Sequence, residues 1–178
     1  MAETEKIETL IWYEMGHAKF WEQYLAGYST HKLDYRKWYN ITTMILSVVG
    51  AASFPLWKLI PESRAYYMPG IIFGLMAIAQ ILAIFQKNTV VDNDQLQDII
   101  KLRGMYITYF NKMERLYVNT SEDRLTTDEA MNTYYQLRET TLPIEALKDS
   151  LNIHPKKSVL KKGEKSAQKY IEPRFLDT

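Results

Sequence analysis

WYNITTMILSVVGAASFPLW (residues 38–57) and AYYMPGIIFGLMAIAQILAIFQ (residues 65–86) contain no Asp, Glu, Lys or Arg, and only Pro61-Glu62-Ser63-Arg64 and its neighbours separate them. At 1.5 Å per residue, about twenty helical residues match the ~30 Å hydrocarbon thickness of a bilayer. The reading that follows is an all-α membrane protein built on a two-helix transmembrane hairpin, with spans at about 38–58 and 66–86. The alternative is a helical pair buried in a soluble bundle. An amphipathic helix would carry charge at every third or fourth position. Ile71 to Phe85 offers only Gln80, and Ile41 to Phe54 only Thr42, Thr43, Ser47 and Ser53, whose hydroxyls can bond back to their own helix. The rest of the 178-residue chain is only amphipathic and cannot supply the apolar shell such a pair needs, so the membrane reading is preferred.

Outward from the hairpin, Lys32, Arg36 and Lys37 precede the first stretch and Lys87, Lys101 and Arg103 follow the second, against Lys58 and Arg64 near the turn. The positive-inside tendency then places both termini in the cytoplasm and the turn outside. Tyr35, Trp38 and Tyr39 on one side and Trp57, Tyr66 and Tyr67 on the other fit aromatic belts. The chain begins with acidic, polar residues unlike a signal peptide. It has no cysteine, which rules out disulfides and thiolate metal sites.

Residues 1–30 read as an amphipathic helix, with Ile7, Leu10, Ile11, Ala18, Trp21, Tyr24, Leu25 and Tyr28 on one face and Glu8, Lys19 and Glu22 on another. Gly27 to Thr30 is expected to break it. Residues 31–87 form the hairpin region. Residues 88–154 are a cytoplasmic helical region, opening near Asp92 or continuing from the second span. A capping box at Thr126 and Glu129 lies within it, and Pro143 is expected to end a helix. Residues 155–178 read as a basic tail, with Lys156, Lys157, Lys161 and Lys162 as ligand or lipid contacts.

No catalytic constellation emerges. His17, His31 and His154 are scattered, and Asp92, Asp94 and Asp98 lack the glycine and closing glutamate of a calcium loop. No cofactor and no metal are expected, and the chain reads as a non-enzyme. Gly50, Gly70, Gly74, Ala79 and Ala83 are small residues suited to helix packing in lipid. Because two helices cannot enclose water, conduction would need a homo-oligomer, taken as a tetramer. Gln80, Thr43, Ser47, Lys58 and Lys87 are then the candidates for a pore lining or gate.

The approach Tyr35-Arg36-Lys37-Trp38-Tyr39-Asn40, the small residues before Phe54, the closing Phe85-Gln86-Lys87 and the helix with Leu102, Arg103 and Tyr106 together resemble the SLATT family. The likeness spans roughly 29–117. It implies a toxic membrane effector, pore-forming in bacterial anti-phage defence. Its controlling partner would be a cytoplasmic nucleotidyltransferase or nucleotide-sensing protein, with a nucleotide or oligonucleotide as ligand. The alternative is a non-conducting membrane anchor that recruits a soluble enzyme to the inner leaflet.

Overall fold

Ile7, Ile11, Met15, Ala18, Glu22 and Leu25 recur at intervals of three and four, and all are buried. That spacing places them on one side of a helix. In the computed structural model they line a single helix, α1 (Ala2–Leu56). The structure describes residues 2–56, 70, 73–81, 93–153 and 157–175. Four further helices follow α1: α2 (Asn93–Ser121), α3 (Thr127–Glu139), α4 (Leu142–Ser150) and α5 (Lys157–Phe175). Residues 73–81 are also helical. The chain divides into two compact units, one of residues 1–30 with 93–178 and the other of residues 31–92.

In the first unit, α2 packs Ile99, Leu102, Tyr106, Tyr109, Phe110, Met113 and Leu116 inward. The capping box at the start of α3 is present. Glu129 N–H donates to Thr126 Oγ1, and the Glu129 carboxylate accepts from Thr126 N–H at 2.9 Å. These bonds hold the Glu129 carboxyl below its ordinary value. Pro143 opens α4 rather than ending α3, because its missing N–H costs nothing in a first turn. The expected break at Gly27 to Thr30 does not occur. Ser29 and Thr30 hydroxyls donate back to the Ala26 carbonyl at 3.0 and 2.9 Å. Gly27 serves a close contact instead, since a Cβ there would lie 3.2 Å from Val159 Cγ1. The lysine-rich segment is a packed helix rather than a tail, with Val159, Gly163, Ala167 and Ile171 inward at every fourth residue.

The transmembrane hairpin is overturned. Among the described residues, no helix is long and apolar enough to cross a membrane. The first apolar stretch is not an independent span. It is the distal part of α1, a helix that also carries Lys32, Arg36 and Lys37 and is diluted by Thr42, Thr43 and Ser47. Of the second stretch, residues 73–81 are helical.

Within the second unit, α1 is half-buried at Lys32, Arg36, Tyr39, Thr43, Leu46 and Gly50, a spacing of three and four. The remaining face exposes Trp38 (70%), Met44 (69%) and Val48 (58%), with Ile41, Ile45 and Val49. Phe73, Met76, Ile78 and Ile81 are exposed as well. This inverts a water-soluble helix, since polar Thr43 and small Gly50 are more covered than the Val, Ile and Met side chains around them.

Candidate functional site

The first unit contains a cleft whose shape follows from two helices that touch at one end and part at the other. A Cβ on Gly163 would lie 3.2 Å from both Cα and N of Tyr24, so α1 and α5 meet there backbone to backbone. Further along, Trp12, Tyr13, Gly16, His17 and Phe20 of α1 face Glu164, Ala167, Gln168 and Ile171 of α5 across a cavity of about 590 Å³. That size lies within the range of small-molecule pockets. Gly16 keeps its floor open, as a Cβ there would meet nothing within 4 Å.

The walls carry three aromatic rings together with an imidazole, a carboxylate and an amide. Trp21 Nε1–H donates to His17 Nε2 at 2.9 Å. This leaves Nδ1 as the protonated nitrogen of a neutral ring. Partial burial lowers the His17 pKa, more than nearby Glu14 raises it, while Lys148 adds to the lowering. The ring is therefore mostly neutral at pH 7.

Beneath the cleft, Lys19 and Glu22 form a buried ion pair at 2.6 Å. Lys19 Nζ also sits 3.8 Å from the Tyr170 ring centroid and 4.8 Å from that of Phe110. It thus ties α5 to both α1 and α2 through cation–π attraction. Arg103 approaches Glu22 at 3.6 Å. Trp21 stacks on Tyr106 at 6.0 Å and 14°. Glu14 accepts from Tyr109 Oη at 3.4 Å and pairs with Arg138 at 3.3 Å. Burial raises the pKa of both Tyr106 and Tyr109.

Periodicity alone put Lys19 and Glu22 on a solvent face, whereas packing by α2 and α5 buries them. The signal in the sequence was their opposite charge at i, i+3 amid Trp12, Phe20, Trp21 and Tyr24.

The residues singled out from sequence do not gather around this cleft. Lys157, Lys161 and Lys162 lie on the outer face of α5, exposed. Thr43 and Ser47 in the second unit bond back along α1. Thr43 Oγ1 donates to the Tyr39 and Asn40 carbonyls at 3.1 and 3.0 Å, and Ser47 Oγ donates to the Thr43 carbonyl at 2.8 Å. Gln80 is exposed, while Ala79 is half-buried. A Cβ on Gly50, Gly70 or Gly74 would meet nothing within 4 Å among the described residues. Lys58, Ala83, Lys87 and Lys156 lie outside the described residues. Among the described residues, no three His, Asp or Glu side chains gather to hold a metal ion.

Chemically the cleft offers aromatic faces for stacking and three polar groups for orientation. Comparison with known proteins finds no matching family model, no matching curated protein and no matching solved structure.

Proposed function

We propose that the chain is a non-catalytic effector docked on the inner face of a bacterial membrane. The second unit lodges its outward apolar side chains among lipid, and the first unit receives a ligand or protein partner close to the surface. The observation that carries this reading is the exposure of Trp38, Met44, Ile45 and Val48 along one stretch of α1. Contiguous exposed apolar surface marks an interaction site, because each Å² left in water forgoes about 25 cal/mol. Lipid is the favoured cover because the border of this patch is aromatic and basic. Tyr35 and Trp38 are exposed beside the exposed Lys37. Amphipathic rings settle at the headgroup level, and each cation near an anionic surface contributes about 1 kcal/mol.

A conducting pore needs helices that cross the bilayer. An anchor needs only an apolar face and its border, so the anchor reading is the one carried forward. The resemblance of residues 29–117 to the SLATT family supplies the setting, an anti-phage response governed by a nucleotide-linked partner. Assembly of several copies on the membrane belongs to the same proposal.

The test is flotation of the purified full chain with vesicles of phosphatidylethanolamine and phosphatidylglycerol loaded with a fluorescent dye. Expected is co-flotation with the dye retained. Met44→Glu combined with Val48→Glu should cut the bound fraction at least tenfold, since burying each parent side chain is worth about 1.5–3 kcal/mol. A chain that stays at the bottom of the gradient overturns membrane docking. Dye release would replace the anchor with a permeabilising effector.

A further inference from the structure

The outer face of α2 carries a feature that membrane docking does not use. Two cavities, of about 470 and 590 Å³, lie along it and share Thr108 and Lys112 in their walls. The first extends toward Lys101, against α4. The second extends toward Arg115 and Asn119, against α3. From Lys101 to Asn119 the helix rises about 27 Å, so the two cavities form one groove flanking most of α2.

The charge in this groove is of one sign. Lys101, Lys112 and Arg115 contribute to its walls, and no Asp or Glu does. The whole chain is nearly balanced, with 22 basic and 21 acidic residues. Moreover, Lys112 and Arg115 are i, i+3 neighbours on one helix face, where like charges repel. Both are exposed, and neither forms an ion pair with a described residue. Around them the Asn111 amide supplies neutral hydrogen-bond donors, while the Thr108 and Thr133 hydroxyls donate to the Gly104 and Glu129 carbonyls at 3.1 and 2.8 Å and turn oxygen lone pairs and methyls to the cavity. Cations that repel each other, beside a cavity that also holds an amide donor, are complementary to a multiply charged anion with several acceptor oxygens.

We propose that this groove binds a small phosphorylated molecule, with a phosphate group seated at Lys112 and Arg115 and the remainder lying toward Lys101 or Asn119. The cavities suit a small ligand rather than a flat polymer surface. The proposal is independent of membrane docking.

Inorganic tripolyphosphate is the probe, titrated calorimetrically into the full-length protein in 150 mM salt. Exposed, unstructured charge clusters are largely screened under that condition. Expected is saturable binding that weakens at least tenfold in Lys112→Ser/Arg115→Gln. Binding should be unchanged in Lys161→Ser/Lys165→Ser, which removes two cations from the outer face of α5, outside the walls of this groove. Without ligand, the Lys112/Arg115 variant should melt no lower than the parent, because a repulsion has been removed. A comparable loss in both double variants would mean diffuse charge attraction and would overturn the site. So would absence of binding to the parent protein, or a ligand-free variant that melts markedly lower. A soluble glycerophosphate diester and phosphatidic acid vesicles serve as further arms. Groove-dependent binding to the vesicles but not to tripolyphosphate would assign the phosphate to a lipid headgroup and overturn the free-ligand form.

Discussion

Glu22 is the residue on which the interior of the first unit turns. It sits 2.6 Å from Lys19 and 3.6 Å from Arg103, and both Lys19 and Glu22 are buried. Removing one member of a buried pair leaves the other without compensation, at a cost of about 3–5 kcal/mol. The two members of this pair are not equivalent. Glu22→Gln leaves the Lys19 ammonium, among the described residues, with the Phe110 and Tyr170 rings as attraction, so a loss of about 3 kcal/mol is expected. Lys19→Met leaves Glu22 its contact with Arg103 and sets a thioether against the same rings, a favourable contact in its own right. Its loss should be nearer 1 kcal/mol. Urea unfolding of the full chain measures both, and the order is the test: equal costs, or Lys19→Met the worse, would show that Arg103 does not share the charge. Neither residue was legible as interior from sequence. A helical period assigns charges outward, and what reverses the assignment is α2 and α5 closing over them from about ninety and one hundred and fifty residues away along the chain. The aromatic residues that make the reversal tolerable were all visible, but nothing in their spacing named their partners.

At the scale of elements, the contact between α1 and α5 creates the cleft, and its two glycines predict opposite outcomes. Gly163→Ala would set a Cβ 3.2 Å from the Tyr24 backbone, which cannot swing aside. Overpacking of this kind costs about 1–3 kcal/mol, against about 1 kcal/mol gained from helix propensity. A net lowering of the thermal midpoint is expected. Gly16→Ala meets nothing within 4 Å and keeps the propensity gain of about 0.5–1 kcal/mol, so the midpoint should rise. Midpoints moving in the same direction would place the helix contact elsewhere. Local rules read one element correctly: the capping box at Thr126 and Glu129 depends only on residues within a single turn. Rules that treat Gly, Pro and lysine runs as punctuation failed where a neighbour supplied another use. Gly27 is small for Val159, and Pro143 is a first-turn residue. The lysine run from Lys157 to Lys169 is the outer face of a helix whose inner face has only four small or branched residues to declare it. Half of the cleft was invisible for that reason, since α5 was taken for a tail.

At the scale of the whole molecule, composition located the apolar residues correctly and misjudged what they build. The absence of charge from 38 to 57 and from 65 to 86 suggested two independent spans. Helix continuity made the first of them the end of α1, which also carries the interior of the first unit. The division of the chain is therefore between a discontinuous unit of residues 1–30 and 93–178 and an insert of residues 31–92. The burial, ion pairs and ring contacts that bind α1 to α2 and α5 all arise from the discontinuous unit, so it should fold without the insert. Replacing residues 31–92 by a flexible Gly/Ser linker of about twenty residues, which reaches about 25 Å on average, should leave a helical protein with cooperative unfolding. Its Trp21 and Tyr106 should stay protected from solvent quenchers, and it should bind tripolyphosphate like the parent. The same protein should no longer float with anionic vesicles, because Trp38, Met44 and Val48 are gone. Loss of cooperative unfolding would mean that the insert completes the first unit's interior. Undiminished flotation would move the membrane contact to the lysine face of α5, where Lys157, Lys161 and Lys162 are exposed. Because folding, phosphate binding and flotation are read on one protein, each failure points to a different part of the chain.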